Sequence, residues 1–188
     1  SAKQEHNPAE YIGLYYYYGL GVDKNLKKAL KYLKSGASLG GGEARSILGS
    51  SYLTGIGIEQ DYKQAQKWLT LAASQGKSYA ACELAVAYSI GIPIISQNKE
   101  NAKWLDIAMD QGIGSLKYFK GRKFDNPKIA IEEIEKDAQT NSDAGVVYGI
   151  MKSVGIGTQK DEAIANQYFD RALKAGNYDA AYIKSGLM

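Results

Sequence analysis

Apolar residues recur along the chain at helical spacing, in pairs of short stretches. Ala44, Leu48 and Tyr52 occupy positions i, i+4 and i+8 and therefore share one face of a helix. Gly49 beside them carries no side chain, so a neighbouring helix can come close there. A second stretch carries Ala65, Trp68, Leu69 and Ala72 at the same spacing. Asp61 is placed to cap its start, and Gly76 stops it. Between the two, Gly55-Ile56-Gly57 ends the first helix, because glycine adopts the left-handed conformation at little cost. Ile56 and Ile58 read as side chains that turn back and plug the loop.

The helix pair repeats. Gly19-Leu20-Gly21 precedes Gly55-Ile56-Gly57 by 36 residues, and Gly155-Ile156-Gly157 is a further copy. Gly91-Ile92-Pro93 falls another 36 residues on from the second copy, with proline in place of the second glycine. Tyr16, Tyr52 and Tyr88 keep the period, as do Tyr32, Trp68 and Trp104; Tyr168 holds the same place after Gly157. A fixed period of about 20 to 50 residues signals a repeat array. The pattern predicts one all-α domain over residues 1–188: a right-handed α/α superhelical solenoid of helix-turn-helix repeats about 36 residues long. The units span about 8–40, 41–76, 77–112, a short 113–140 and 141–176, with a terminal helix in 177–188. The short unit has no Gly-x-Gly loop; Asp125-Asn126-Pro127 makes its turn, and a bend is expected there. Pro93, with φ held near −65°, keeps its loop from copying its neighbours. Lys152 replaces the tyrosine equivalent to Tyr52.

These residues resemble the Sel1-like repeat family, relatives of the tetratricopeptide repeats. The second unit carries the family pattern almost whole: Leu48-Gly49, Tyr52, Gly55-Ile56-Gly57-Ile58, Asp61-Tyr62, Ala65, Trp68, Ala72-Ala73 and Gly76. The first unit matches through Gly13, Tyr16, Gly19-Leu20-Gly21-Val22, Ala29, Ala37 and Gly40. The resemblance implies a non-catalytic protein–protein interaction scaffold or adaptor of bacterial origin, in signalling, the envelope or host interaction.

Charge and chemistry narrow the function further. The net charge of +3 gives little support for nucleic acid as a partner, which asks for a strongly basic face. Cys82 is the only cysteine and His6 the only histidine, so neither a cysteine zinc site nor a Cys-His or Ser-His arrangement can be assembled around a positioned base. No cofactor and no metal are implied. The Gly-x-Gly loops lack the strand and the Gly-Lys-Ser/Thr context of phosphate loops and read as repeat turns. Glu132, Glu133, Glu135 and Asp137 read as the solvated face of a helix whose apolar side is Ile131, Ile134 and Ala138. Lys24, Lys27, Lys28, Lys31 and Lys34 form a basic stripe on the first unit's second helix, read as a solvated face with an acidic partner or an anionic surface as the alternative. No run approaches the 18 or more apolar residues of a membrane span. A periplasmic or secreted location is favoured over the cytoplasm.

A candidate partner-binding surface follows from the helical wheel. Relative to each unit's helix glycine, positions −3, +1 and +4 are expected to face away from the core. They collect Glu10, Leu14 and Tyr17, then Ser46, Ser50 and Leu53, then Val86 and Ser89, then Val146, Ile150 and Ser153. Tyr18 joins them from the run Tyr15-Tyr16-Tyr17-Tyr18. Such a mixed apolar and hydroxyl groove, expected on the concave surface of the array, suits another protein or peptide. The alternatives are a glycan- or peptidoglycan-binding module of the cell envelope and, remotely, a hydrolase. Uncapped ends of the array are expected to give weak self-association.

Overall fold

The computed structural model describes residues 7–94, 99–122, 124 and 126–185; His6 and Asp125 lie outside them. The described residues contain helices and no strands. They form α1 (Pro8–Tyr18), α2 (Leu26–Ser38), α3 (Gly42–Thr54), α4 (Tyr62–Ser74), α5 (Ser78–Ser89) and α6 (Lys99–Asp110). A 3-10 helix follows (Gly114–Phe119), then α7 (Pro127–Asp137), α8 (Ser142–Val154), α9 (Glu162–Lys174) and α10 (Asp179–Lys184). Consecutive helices pack as hairpins: α1 on α2, α3 on α4, α5 on α6 and α8 on α9.

The local signals set these boundaries. Asn25, Asp61 and Asp161 each cap a second helix, accepting from the backbone N–H three residues on at 2.9, 3.0 and 2.9 Å. Each cap also ties the loop back by its own N–H. Asn25 donates to the Tyr16 carbonyl at 2.9 Å, Asp61 to Tyr52 at 3.0 Å and Asp161 to Lys152 at 2.8 Å. The third bond survives the loss of tyrosine at 152 because it uses only main chain. Gly55 and Gly57 sit at φ +75° and +77°, a region that side-chain-bearing residues adopt at a cost.

The Pro93 loop copies its neighbours in part. Gly91 keeps φ +80°, and the Ile92 N–H reaches the Ala87 carbonyl at 3.0 Å, as Ile156 reaches Met151 at 3.0 Å. The Gly91 N–H, however, reaches three residues back to Tyr88 at 3.2 Å. Gly19, Gly55 and Gly155 each reach four back at 2.8 Å. The last turn of α5 is therefore wound tighter.

The chain divides into two compact units, 1–77 and 78–188. The first has a core of Ala29, Leu30, Leu33, Ala37, Ala44, Ile47 and Leu48. In the second, α5 is buried over most of its length. The division falls before the third repeat and not at the short unit, because the short unit is knit into its neighbours. Its first helix has shrunk to the six-residue 3-10 segment, which buries Leu116, Tyr118 and Phe119 and packs on α6 and α8. Asn126 caps α7, accepting from Lys128 N–H at 2.9 Å, with Pro127 in the first turn. The Asp179 carboxylate accepts from the Ser115 hydroxyl at 2.6 Å, and the Asn177 amide donates to the same hydroxyl at 3.0 Å, so the C-terminal turn is held to the same segment.

Candidate functional site

In the first unit the predicted surface residues lie on the first helices α1 and α3. Glu10 has a structural task there. The N-cap position of α3 is Gly41, which has no side chain to offer. The Glu10 carboxylate reaches across from α1 and accepts the Ala44 N–H at 2.9 Å, so it caps a helix 34 residues away in sequence. Leu14 and Tyr17 are half-buried against the core of the unit. Tyr18 is 54% exposed, and its ring meets Tyr17 edge-on with centroids 5.0 Å apart. Burial first, then the Glu43 carboxylate and Tyr17, push the Tyr18 phenol up to about 12. Ser50 is half-buried and its hydroxyl donates to the Ser46 carbonyl at 3.0 Å.

The helical wheel misplaces six of the twelve residues. Ser46 and Leu53 are buried in the first unit, and Val86, Ser89, Val146 and Ile150 are buried in the second. The wheel takes the first helices to stand apart on this side, and they do not. In the first unit α1 contacts α3 as well as α2. In the second, the 3-10 segment of the short unit packs on α8 and also touches α5. The Tyr79 and Ser153 hydroxyls lie 3.3 Å apart across these two helices, and Ile90 closes to 3.0 Å of a Cβ built on Gly157. Ser153 alone of the second unit's five candidates is half-buried. Its hydroxyl donates to the Ile150 carbonyl at 2.9 Å.

The residues that could suggest chemistry have structural neighbours. Cys82 is wholly buried; burial and then the adjacent Glu83 hold its thiol well above the usual range, away from the reactive thiolate. Asp137 accepts from Tyr118 Oη at 2.8 Å and pairs with Arg122 at 3.2 Å, while Glu132, Glu133 and Glu135 are exposed. Burial and then the Asp137 bond raise the Tyr118 phenol; burial and then a bond to Glu135 raise Tyr148. Among the described residues no group of three or more His, Cys, Asp or Glu side chains is placed to hold a metal. No described helix is long and apolar enough to cross a membrane.

Three of the exposed tyrosines gather on α1, and Tyr178 lies apart from them. Tyr11, Ile12, Tyr15 and Tyr18 share a face of that helix and are all exposed. The counterparts of Tyr11, Ile12 and Tyr15 in the other first helices are buried: Ile47, Leu48 and Ser51 in α3, Glu83, Leu84 and Ala87 in α5, and Val147, Tyr148 and Met151 in α8.

The Sel1 repeat model matches residues 9–41, 42–77, 78–112 and 146–177, well over half of the chain. The chain belongs to the Sel1 repeat family. The unmatched stretch before residue 146 contains the 3-10 helix and α7 of the short unit. Sel1 repeats generally act in protein–protein interaction. Among solved structures, the chain is similar to a protective antigen present in uropathogenic Escherichia coli strains that displays an SLR fold. The two are 28% identical with a TM-score of 0.57, over 95% of this chain and 40% of that one. It is also similar to a Sel1 repeat protein from Oxalobacter formigenes, 26% identical with a TM-score of 0.55, over 92% of this chain and 74% of that one. This chain thus spans well under half the length of the Escherichia coli protein. No curated protein matches it.

Proposed function

We propose that this Sel1 repeat chain is a non-catalytic scaffold that binds a protein or peptide through its first helices, in a bacterial signalling, envelope or host-interaction setting. The observation that carries this reading is the aromatic pair at the end of α1. Tyr17 and Tyr18 meet edge-to-face, with Tyr18 mostly open to solvent and Leu14 half-buried beside the same core. Rigid tyrosines supply contact area with few rotatable bonds, which is why they are enriched at protein interfaces. Within the first unit the surface comprises the exposed Tyr18 with the half-buried Glu10, Leu14, Tyr17 and Ser50, while Ser46 and Leu53 are buried; within the second unit Ser153 is the half-buried candidate, while Val86, Ser89, Val146 and Ile150 are buried.

The test is affinity capture from a bacterial lysate with the Tyr17→Ala/Tyr18→Ala chain as control, followed by binding of the purified partner. A polypeptide that binds the parent chain and is lost from the variant is the expected result. Retention on insoluble peptidoglycan with no bound polypeptide would replace the scaffold reading with a glycan-binding one.

A further inference from the structure

A second surface lies on the side of the second helix in the first unit. The groove between α2 and the Gly57 loop has a volume of about 310 Å³. Its floor is Leu30, Gly57 and Ile58, and its rim is Lys27, Lys31 and Lys34. Leu26 and Leu30 press on Gly57 so closely that a Cβ there would lie 2.5 and 2.9 Å from them, so the floor is firmly built. The three lysines stand at i, i+4 and i+7, which places them along one face of α2 over roughly 10 Å. All three are exposed, and no ion pair among the described residues uses them. The α2 sequence from Leu26 to Ser38 contains four lysines and no carboxylate.

The second unit contains the same groove with different charge. There α7 meets the Gly157 loop, and Ile131 lies 3.1 Å from a Cβ built on Gly157, in the place of Leu30. Its lining is Pro127, Lys128, Ile131, Glu132 and Gly157. Aligning Leu30 with Ile131 sets Lys27 on Lys128 and Lys31 on Glu132. The fold therefore forms this groove regardless of charge, and the uncompensated lysines belong to the first copy alone.

We propose that the groove between α2 and the Gly57 loop docks an acidic segment of a partner protein: an extended peptide with an apolar side chain on the Leu30–Ile58 floor, flanked by carboxylates that meet Lys27, Lys31 and Lys34. An extended chain advances about 3.3 Å per residue, so about three residues span the lysine row. This surface shares no residue with the Tyr17–Tyr18 surface, so failure of either leaves the other standing.

Fluorescence anisotropy on the full chain tests it, with a short labelled peptide centred on Glu-Leu-Glu, a Ser-Leu-Ser version and a short DNA duplex as a general polyanion. Expected is saturable binding of the acidic peptide that weakens as salt rises. The serine peptide should bind about tenfold more weakly, and Lys31→Glu, which copies the second unit's groove, should cost about tenfold. Lys128→Glu in the other groove should leave affinity unchanged. Circular dichroism of Lys31→Glu should match the parent, since the side chain is exposed. No saturable binding, equal affinity for Lys31→Glu or for the serine peptide, or DNA binding as tight as the acidic peptide would each overturn the proposal.

Discussion

Phe169 lies on Gly149 so closely that a Cβ added to the glycine would sit 2.5 Å from its ring. The same pairing, twenty residues apart in sequence, joins Gly13 to Leu33 at 2.8 Å and Gly49 to Leu69 at 2.6 Å. In the third repeat Ala85 and Leu105 take these places. The missing side chain lets the second helix of each hairpin settle directly on the first, and this contact recurs through the array.

Gly149→Ala is expected to destabilise the chain. Alanine favours a helix interior over glycine by about 1 kcal/mol. The stiff ring of Phe169 cannot yield as an aliphatic side chain can, and overpacking costs about 1 to 3 kcal/mol. The net loss should be up to about 2 kcal/mol in a urea melt; a more stable variant would show that the hairpin opens without penalty.

Glu10→Ala is expected to loosen α3, although the substituted residue lies on α1. Loss of a helix cap costs about 1 kcal/mol. Hydrogen exchange should speed up at the Ala44 amide, which the carboxylate holds at 2.9 Å. Unchanged protection at that amide would show that another group caps α3.

The two tryptophans should not behave alike. Their places in the repeat are equivalent, and the sequence alone predicts a core role for both. Trp104 is only 3% exposed, whereas Trp68 is half-buried. Trp104→Ala should lose about 3 to 5 kcal/mol. The loss for Trp68→Ala should be visibly smaller in the same thermal or urea melt.

Stability should fall in alkali. Tyr18, Tyr118 and Tyr148 all have raised phenol pKa values in the folded chain, Tyr18 to about 12. In the unfolded chain a tyrosine ionises near about 10. Below that pH both states hold the proton, and the full stability is present. Above it the unfolded chain releases protons that the folded chain retains, so stability drops as pH rises through the folded values. A urea midpoint that stays flat from about pH 9 to pH 12 would contradict this. In near-UV titration, Tyr18→Phe should remove one phenol that ionises near 12.

Self-association should run through the exposed face of α1. The chain should sediment as a concentration-dependent mixture, and Ile12→Lys with Tyr15→Lys should shift it to monomer. Sedimentation unchanged by the pair would place any contact elsewhere. Both side chains are exposed, so the pair should leave the melt nearly unchanged.

Sequence alone determined the parts of this protein that rest on interactions a few residues long. The Gly55–Gly57 turn, the Asp61 cap, the hairpin period and the closely packed glycines follow from backbone conformation and side-chain size, which a residue carries wherever it is placed. Family membership was legible for the same reason, since the recurring positions are those local ones. The candidate surface was legible in half. A helical wheel assigns a side chain to one side of its own helix and says nothing about what lies opposite. Val86, Val146 and Ile150 read as groove residues, yet all three are buried, and the 3-10 segment of the short unit packs against both α5 and α8. Glu10 read as a surface carboxylate until folding brought it to an uncapped helix 34 residues away. Only the tertiary structure decided these, because burial and long-range capping depend on which helices meet, and that is a property of the whole packed chain.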